Sequence, residues 1–197
     1  MTAYDEAQLG LRLGSLDRTQ RTAFAAACAE RLWPLVDRYS RVTGKGDVQA
    51  LRSALDGAWH AANGVAVSDL ARMQERVEGM VPVDDGEWVF EMGYGQNAIA
   101  AIAYAIRAWL TNDPQEAVWG ARQVYEAADI AAQQASPGLP LNEPGTEDSL
   151  AEATVVQVAL AGLAEDLTAV TSPALGRWEN LRMRARCEGA AWARTLP

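Results

Sequence analysis

The sequence is poor in the side chains that most enzymes use for chemistry. Its 197 residues include one histidine, His60, one lysine, Lys45, and two cysteines, Cys28 and Cys187. With only two cysteines a disulfide framework is absent, and reduced thiols are the default in the cytoplasm. The scarcity of these groups makes a binding function more favourable than catalysis, and no cofactor is expected.

Positive charge is also scarce. The 17 Lys and Arg residues against 26 Asp and Glu give a net charge of −9 and a pI near 4.6. Proteins that bind nucleic acid need a basic face, because release of counterions from the phosphates supplies much of the affinity. We therefore expect no nucleic-acid partner.

Long apolar runs are missing. The run Ala98–Ile106 ends at Arg107, and the segment Leu150–Val170 contains several polar and charged side chains. Neither approaches the ~20 apolar residues that a membrane span needs. Asp5 and Glu6 stand where a signal peptide would carry positive charge. These features predict a cytoplasmic protein with no membrane partner.

Apolar residues recur at three- and four-residue steps along most of the chain, which predicts an all-α, single-domain bundle of about seven helices over 1–197. The first helix is predicted from Asp17 to Gly44, with a kink or break near Arg31–Trp33 because Pro34 removes a backbone hydrogen bond. Helix-capping signals and apolar periodicity place the others at 48–62, 68–80, 96–110, 113–135 and 147–170, with the last after Ser172.

The segment Ser136–Gly145 is the one clear predicted loop, since it holds three prolines and two glycines. It separates five helices from a C-terminal pair. In the first helix of that pair, apolar residues repeat at 4-3-4-3 spacing over Val156–Val170, the pattern of a seam for a partner helix. We expect the pair to be antiparallel and to pack on the N-terminal bundle.

Two short motifs carry a family resemblance. A Cys-x-Glu-Arg-x-x-Pro run covers 28–34, and a Thr-Gly-x-Gly-Asp turn covers 43–47. In this order and separation they resemble the YjaG-like bacterial family of unknown function (domain of unknown function 416), and the resemblance covers Leu11–Asp129. It implies an all-helical cytoplasmic bacterial domain and transfers no activity or functional residue.

His60 and Asp56 form the first candidate site. They lie four residues apart on a predicted helix, so they could share a face as a ligand pair or as an oriented base. No Gly-x-Ser-x-Gly nucleophile motif and no Glu-x-x-His metal motif accompanies them. A packed or surface histidine is the favoured interpretation.

The other isolated candidates have simple structural interpretations. Cys28 lies on an apolar stripe and is predicted to be buried, whereas Cys187 is predicted to be exposed among arginines. The run 93–98 mimics a dinucleotide fingerprint but lacks a sheet, so it is predicted to be a turn into a helix. The Thr43–Asp47 turn lacks Walker spacing and is predicted to hold a C-cap glycine and an N-cap aspartate.

An acidic stretch with interleaved aromatics is the candidate interaction face. Its members are Asp84, Asp85, Glu87, Trp88 and Glu91. Carboxylates beside an exposed tryptophan are typical of a protein-binding surface. The alternative is ordinary solvated charge with Trp88 packed into the core.

The leading hypothesis is a non-enzymatic interaction or regulatory protein, either homo-oligomeric or an acidic binder of a basic partner. A second hypothesis is an enzyme, or a small-ligand or metal-binding protein, that uses carboxylates with His60. A third is an immunity-type acidic protein that neutralises a basic toxin. The negative net charge is the one feature of the sequence that supports this third hypothesis.

Overall fold

The computed structural model describes residues 3–83, 89–138, 144–171 and 178–197. These ranges contain nine helices and no strand, which confirms the all-α prediction with two helices more than expected. The helices are α1 Glu6–Gly14, α2 Arg18–Thr43, α3 Val48–Ala62, α4 Leu70–Glu78, α5 Phe90–Thr111, α6 Pro114–Ala135, α7 Thr146–Ala151, α8 Thr154–Thr171 and α9 Glu179–Ala193.

Helix α2 lies at the centre of the bundle and packs against α3, α5, α6, α8 and α9. A continuous stretch, Thr22–Leu32, is buried on all sides. Alanines occupy much of it, and their small side chains let the neighbouring helices approach closely. Helix α5 is likewise apolar nearly all round, as a helix enclosed by others must be.

Pro34 does not break the first long helix. Helix α2 runs continuously from Arg18 to Thr43, so of the predicted kink or break the break does not occur. Helix α9 crosses α2 one turn before the proline, where Gly189 lies against the backbone of Arg31. Close packing at this crossing supports the turn that lacks one intrahelical hydrogen bond.

Helix α5 begins six residues before its predicted start, at Phe90 rather than Gln96. Gly93 and Gly95 therefore lie inside the helix, and the predicted turn is wrong. A Cβ atom at Gly95 would lie 2.5 Å from the Tyr39 ring, so the glycine is needed for contact between α5 and α2. Glycine has a low intrinsic helix propensity, so Gly93 and Gly95 resemble turn residues when only the local sequence is considered.

Three smaller differences concern the number of helices and the residues at which they begin and end. Helix α1 was not predicted; Asp5 caps it, and it buries Leu9 and Leu13. Helix α4 begins at Leu70 rather than at Ser68. The predicted helix 147–170 is two helices, α7 and α8, because the chain turns between them at 152–153.

The predicted antiparallel C-terminal pair is confirmed. The indole of Trp192, near the end of α9, donates to the carbonyl of Val155, near the start of α8, at 3.1 Å. Arg184, early in α9, binds Asp166, late in α8, at 2.6 Å. Both helices also contact α2, as expected. The predicted cap at Ser172 lies outside the described residues.

Candidate functional site

The acidic-aromatic face falls mostly on residues that the structure does not describe. Asp84, Asp85, Glu87 and Trp88 lie outside the described residues. Glu91 lies in the first turn of α5, is half-buried, and binds Arg38 of α2 across 3.4 Å. Glu91 is therefore partly exposed at the surface, and it also forms an ion pair within the protein.

Asp56 and His60 are not arranged as a carboxylate that orients a histidine base. The Asp56 carboxylate accepts hydrogen bonds from Arg52, at 3.2 Å, and from Arg182 of α9. His60 is exposed in the last turn of α3. Because two guanidinium groups hold the carboxylate that would orient the imidazole, the arrangement does not favour a general base.

The buried carboxylate of Glu30 is the centre of an ionic cluster that the sequence did not predict. Glu30 is 0 % exposed and accepts two parallel hydrogen bonds from Arg52, at 2.9 and 2.7 Å. The Trp59 indole donates a third at 3.0 Å, and Arg182 lies 3.4 Å away. The cluster joins α2, α3 and α9 and leaves Glu30 fully satisfied.

The next residue, Arg31, is the centre of a second cluster. It is 3 % exposed and binds Asp166 of α8 at 2.9 Å and Glu188 of α9 at 2.8 Å. Arg184 binds the other oxygen of Asp166. Burial alone would lower the pKa of Arg31, but the charge of Asp166 and the hydrogen bonds to Asp166 and Glu188 raise it. The cluster has two positive and two negative charges and so is electrically balanced.

These clusters connect helices of the core. Their fully buried carboxylates, Glu30 and Asp166, are occupied by arginines, which do not deprotonate in proteins. Among the described residues, no group of three or more His, Cys, Asp or Glu side chains is placed to hold a metal ion. The geometry therefore does not favour an enzyme that uses carboxylates with His60.

The remaining predicted features are structural. Cys28 is fully buried, and burial raises the pKa of its thiol well above the usual value, whereas Cys187 is exposed, as predicted. Gly44 is the left-handed C-cap of α2, with φ of 69°, and Asp47 caps α3. The Thr43–Asp47 turn is thus a connection between helices, as predicted.

A groove between α8 and α9 is a mainly apolar concavity of the described surface. Its volume is about 450 Å³, and apolar atoms make up most of its walls. Trp192 forms part of the wall and is almost fully buried, whereas Val158 stands 48 % exposed. Glu188 is the one charged side chain in the lining, which otherwise consists of Thr154, Val155, Val158, Ala191, Trp192 and Thr195.

The outward face of α8 extends beyond the lining of this groove. From Thr154 to Thr168 its exposed residues follow a 4-3-4-3 spacing, and only one of them is charged: Thr154, Val158, Ala161, Glu165 and Thr168. By length and composition alone, α8 also meets the requirement for crossing a membrane, although 44 % of it is buried inside the bundle. Asp166, in the same helix, is buried in the ion pairs with Arg31 and Arg184.

The charge pattern of the sequence contained a signal for this surface that the sequence analysis missed. Residues 123–176 contain no Lys, Arg or His and eight Asp or Glu. This stretch spans most of α6 and all of α7 and α8. Net charge for the whole chain hides this local excess of negative charge.

Comparison with known proteins places the chain beside proteins of unknown function. A family model described as "Protein of unknown function (DUF416)" matches residues 8–173, well past the Asp129 limit of the sequence resemblance. A crystal structure of a DUF416 family protein from Shewanella baltica OS155 has a similar fold, with a TM-score of 0.75 and 18% sequence identity. The match covers 92% of this chain and 93% of that one. No curated protein matches the sequence.

Proposed function

The chain belongs to the DUF416 family of proteins of unknown function, and we propose that it is a non-enzymatic module that holds a helical segment of a partner protein in the α8–α9 groove. The observation that carries this proposal is the groove itself. It is apolar, and the face of α8 beside it bears one exposed charge, Glu165. Charged residues make up 22% of the whole chain.

The shape of the groove favours a helix as its occupant. Helix α8 has 18 residues and so extends for about 27 Å at 1.5 Å per residue. Its outward 4-3-4-3 stripe matches the spacing of apolar side chains on an amphipathic helix. An incoming helix would place its apolar face on Val158 and on the exposed side of α9, at Ala191.

The saturation of the ionic clusters supports binding over catalysis. Glu30 and Asp166, both fully buried carboxylates, are already bound by arginines. A catalytic acid or base needs access to a substrate proton in a cleft. The α8–α9 groove offers mainly apolar contact, and its one carboxylate, Glu188, already accepts a hydrogen bond from Arg31.

A fluorescent reporter at Cys187 would test the proposal. Cys187 is exposed and adjoins Glu188, which lines the groove, while Cys28 is buried and resists labelling. The probe is a synthetic amphipathic peptide with leucines on one face and equal numbers of Lys and Glu on the other. We expect saturable binding at roughly micromolar concentration.

The matched variants are Val158→Glu and Val65→Glu. The two valines are 48 % and 52 % exposed, and only Val158 lies in the groove. A charge introduced at Val158 would have to be desolvated under the peptide, so we expect binding to weaken by about tenfold or more. Val65→Glu should leave it unchanged. Equal effects of the two variants, or no binding at all, would contradict the proposal.

A further inference from the structure

We infer that the occupant of the α8–α9 groove is a cationic amphipathic helix, whose Lys and Arg side chains pair with exposed acids on α7, on α8 and in the turn between them. This inference rests on the proposed function and specifies the chemistry of the partner. Apolar contact with Val158 would supply affinity. Charge would select among partners that share the same apolar face.

On the α8 side of the groove, α7 and α8 carry acidic side chains and no basic one. Residues 123–176 carry eight acids and no basic side chain. Four exposed members of this set lie on α7, on α8 and in the turn between them: Glu147, Asp148, Glu152 and Glu165. Field lines from one sign of charge at a concave surface raise the local concentration of oppositely charged ligands.

Cations contributed by α9 do not cancel this field. Arg184 lies beside α8 but is bound to the buried Asp166 at 2.6 Å. Arg194 is exposed and precedes Thr195 at one end of the groove. Arg186 of α9 is exposed as well, and the four exposed acids outnumber these two arginines; Glu188 adds a carboxylate within the lining.

Glu188 provides a contact point inside the groove. One of its oxygens accepts from Arg31 at 2.8 Å, and the other lies 3.9 Å from Arg184, beyond hydrogen-bond distance. A carboxylate oxygen has two lone pairs, so this second oxygen retains the capacity to accept a bond from an incoming ammonium or guanidinium group. The side chain is 38% exposed, which leaves it open to an arriving ligand.

Charge also argues against two other occupants of the same groove. A second copy of this chain would bring another net charge of −9 and the same acidic residues against α8. An anionic lipid surface would be repelled by the same residues. A cationic helix is the occupant for which both the apolar groove and the exposed acids of α7 and α8 are favourable.

The test uses three peptides that share one apolar face and carry Lys, Gln or Glu on the other. Isothermal titration calorimetry with the unlabelled full chain gives their affinities. At low salt we expect the Lys peptide to bind roughly tenfold more tightly than the Gln peptide, and the Glu peptide to bind more weakly than both. Near 1 M salt the differences should largely vanish, since the screening length falls to about 3 Å.

A pair of double variants separates local charge from net charge. Glu152→Lys with Glu165→Lys reverses two charges just before and on α8, whereas Asp69→Lys with Glu75→Lys makes the same change in net charge at exposed positions beside and on α4. We expect the first variant to lose the preference for the Lys peptide and the second to retain most of it.

The outcomes distinguish this inference from the proposed function. Equal binding of the Lys and Gln peptides, weakened by Val158→Glu, would overturn the cationic partner and leave the binding groove standing. Failure of every peptide to bind would overturn both. Val158-dependent dimerisation in sedimentation velocity would identify a second copy as the occupant and overturn the inference. Val158-dependent binding to phosphatidylcholine or phosphatidylglycerol vesicles would identify a membrane as the occupant and would also overturn the inference.

Discussion

Replacement of Gly189 by alanine tests the crossing of α9 and α2 directly. A Cβ atom at this position would lie 2.3 Å from the carbonyl oxygen of Arg31 and 2.8 Å from its Cα. Ordinary contact begins near 3.4 Å, so the two helices would have to separate by roughly 1 Å. The obstructing atoms belong to the backbone of a buried helix and cannot rotate away.

The magnitude follows from three contributions. Overpacking of this kind costs about 1–3 kcal/mol, and separation of the helices also weakens the 2.8 Å bond between Arg31 and Glu188 by about 1–2 kcal/mol. Alanine regains roughly 0.5–1 kcal/mol because it loses less backbone entropy than glycine in a helix. We therefore expect Gly189→Ala to lower the free energy of unfolding by roughly 2–4 kcal/mol. For a chain of this size the corresponding fall in Tm is about 10 °C.

Gly10→Ala is the matched control. Gly10 lies inside α1, and a Cβ there would meet the nearest atom, on Val118, at 3.8 Å, an ordinary contact. The same substitution should therefore raise the free energy of unfolding by about 0.5–1 kcal/mol. Thermal and urea unfolding followed by circular dichroism would measure both changes. If Gly189→Ala matched or exceeded the wild type in stability, the close crossing would be refuted.

Three further predictions concern buried groups. Glu30→Gln removes the charge that accepts two bonds from Arg52, and we expect unfolding in urea to show a loss of about 2–4 kcal/mol; a loss below about 1 kcal/mol would contradict the buried cluster. Burial raises the pKa of Glu116, although Arg107 opposes the shift, so its contribution to stability should fall as pH rises from its ordinary pKa through the raised one. The difference in unfolding free energy between wild type and Glu116→Gln should accordingly become less favourable to the wild type at neutral pH than at pH ~4, and the opposite trend would refute the assignment. A thiol reagent should modify Cys187 rapidly and Cys28 only on unfolding; two equally fast thiols in the native protein would contradict the burial of Cys28.

Local signals in the sequence predicted the helices well where the caps are unambiguous. Asp47 and Asp113 accept hydrogen bonds from the first turns of α3 and α6, and Pro114 is the first residue of α6. Such signals depend on residues within one turn of each other. The start of α5 was missed because Gly95 has a poor intrinsic propensity for helix, and its packing reason, Tyr39, lies 56 residues earlier.

The ionic clusters could not be predicted because their partners are distant in sequence. Glu30 binds Arg52, 22 residues away, whereas Arg31 binds Asp166 and Glu188, 135 and 157 residues away. One signal was available: adjacent charged residues interrupt a stretch of alanines and leucines in α2. Charged side chains are almost never fully buried unless paired, so such a position predicts a partner without identifying it.

Paired buried charges also connect the groove with the core. Glu188 lines the groove and also accepts a bond from Arg31, one turn along α9 from Arg184, which binds Asp166. Gly162 and Gly189 lie against Arg31 from α8 and α9, and a side chain at either position would displace it. The spacing of the two walls is therefore set by a buried arginine rather than by contacts within the groove. Under the proposed function, walls that are fixed before a partner arrives would require less ordering on binding.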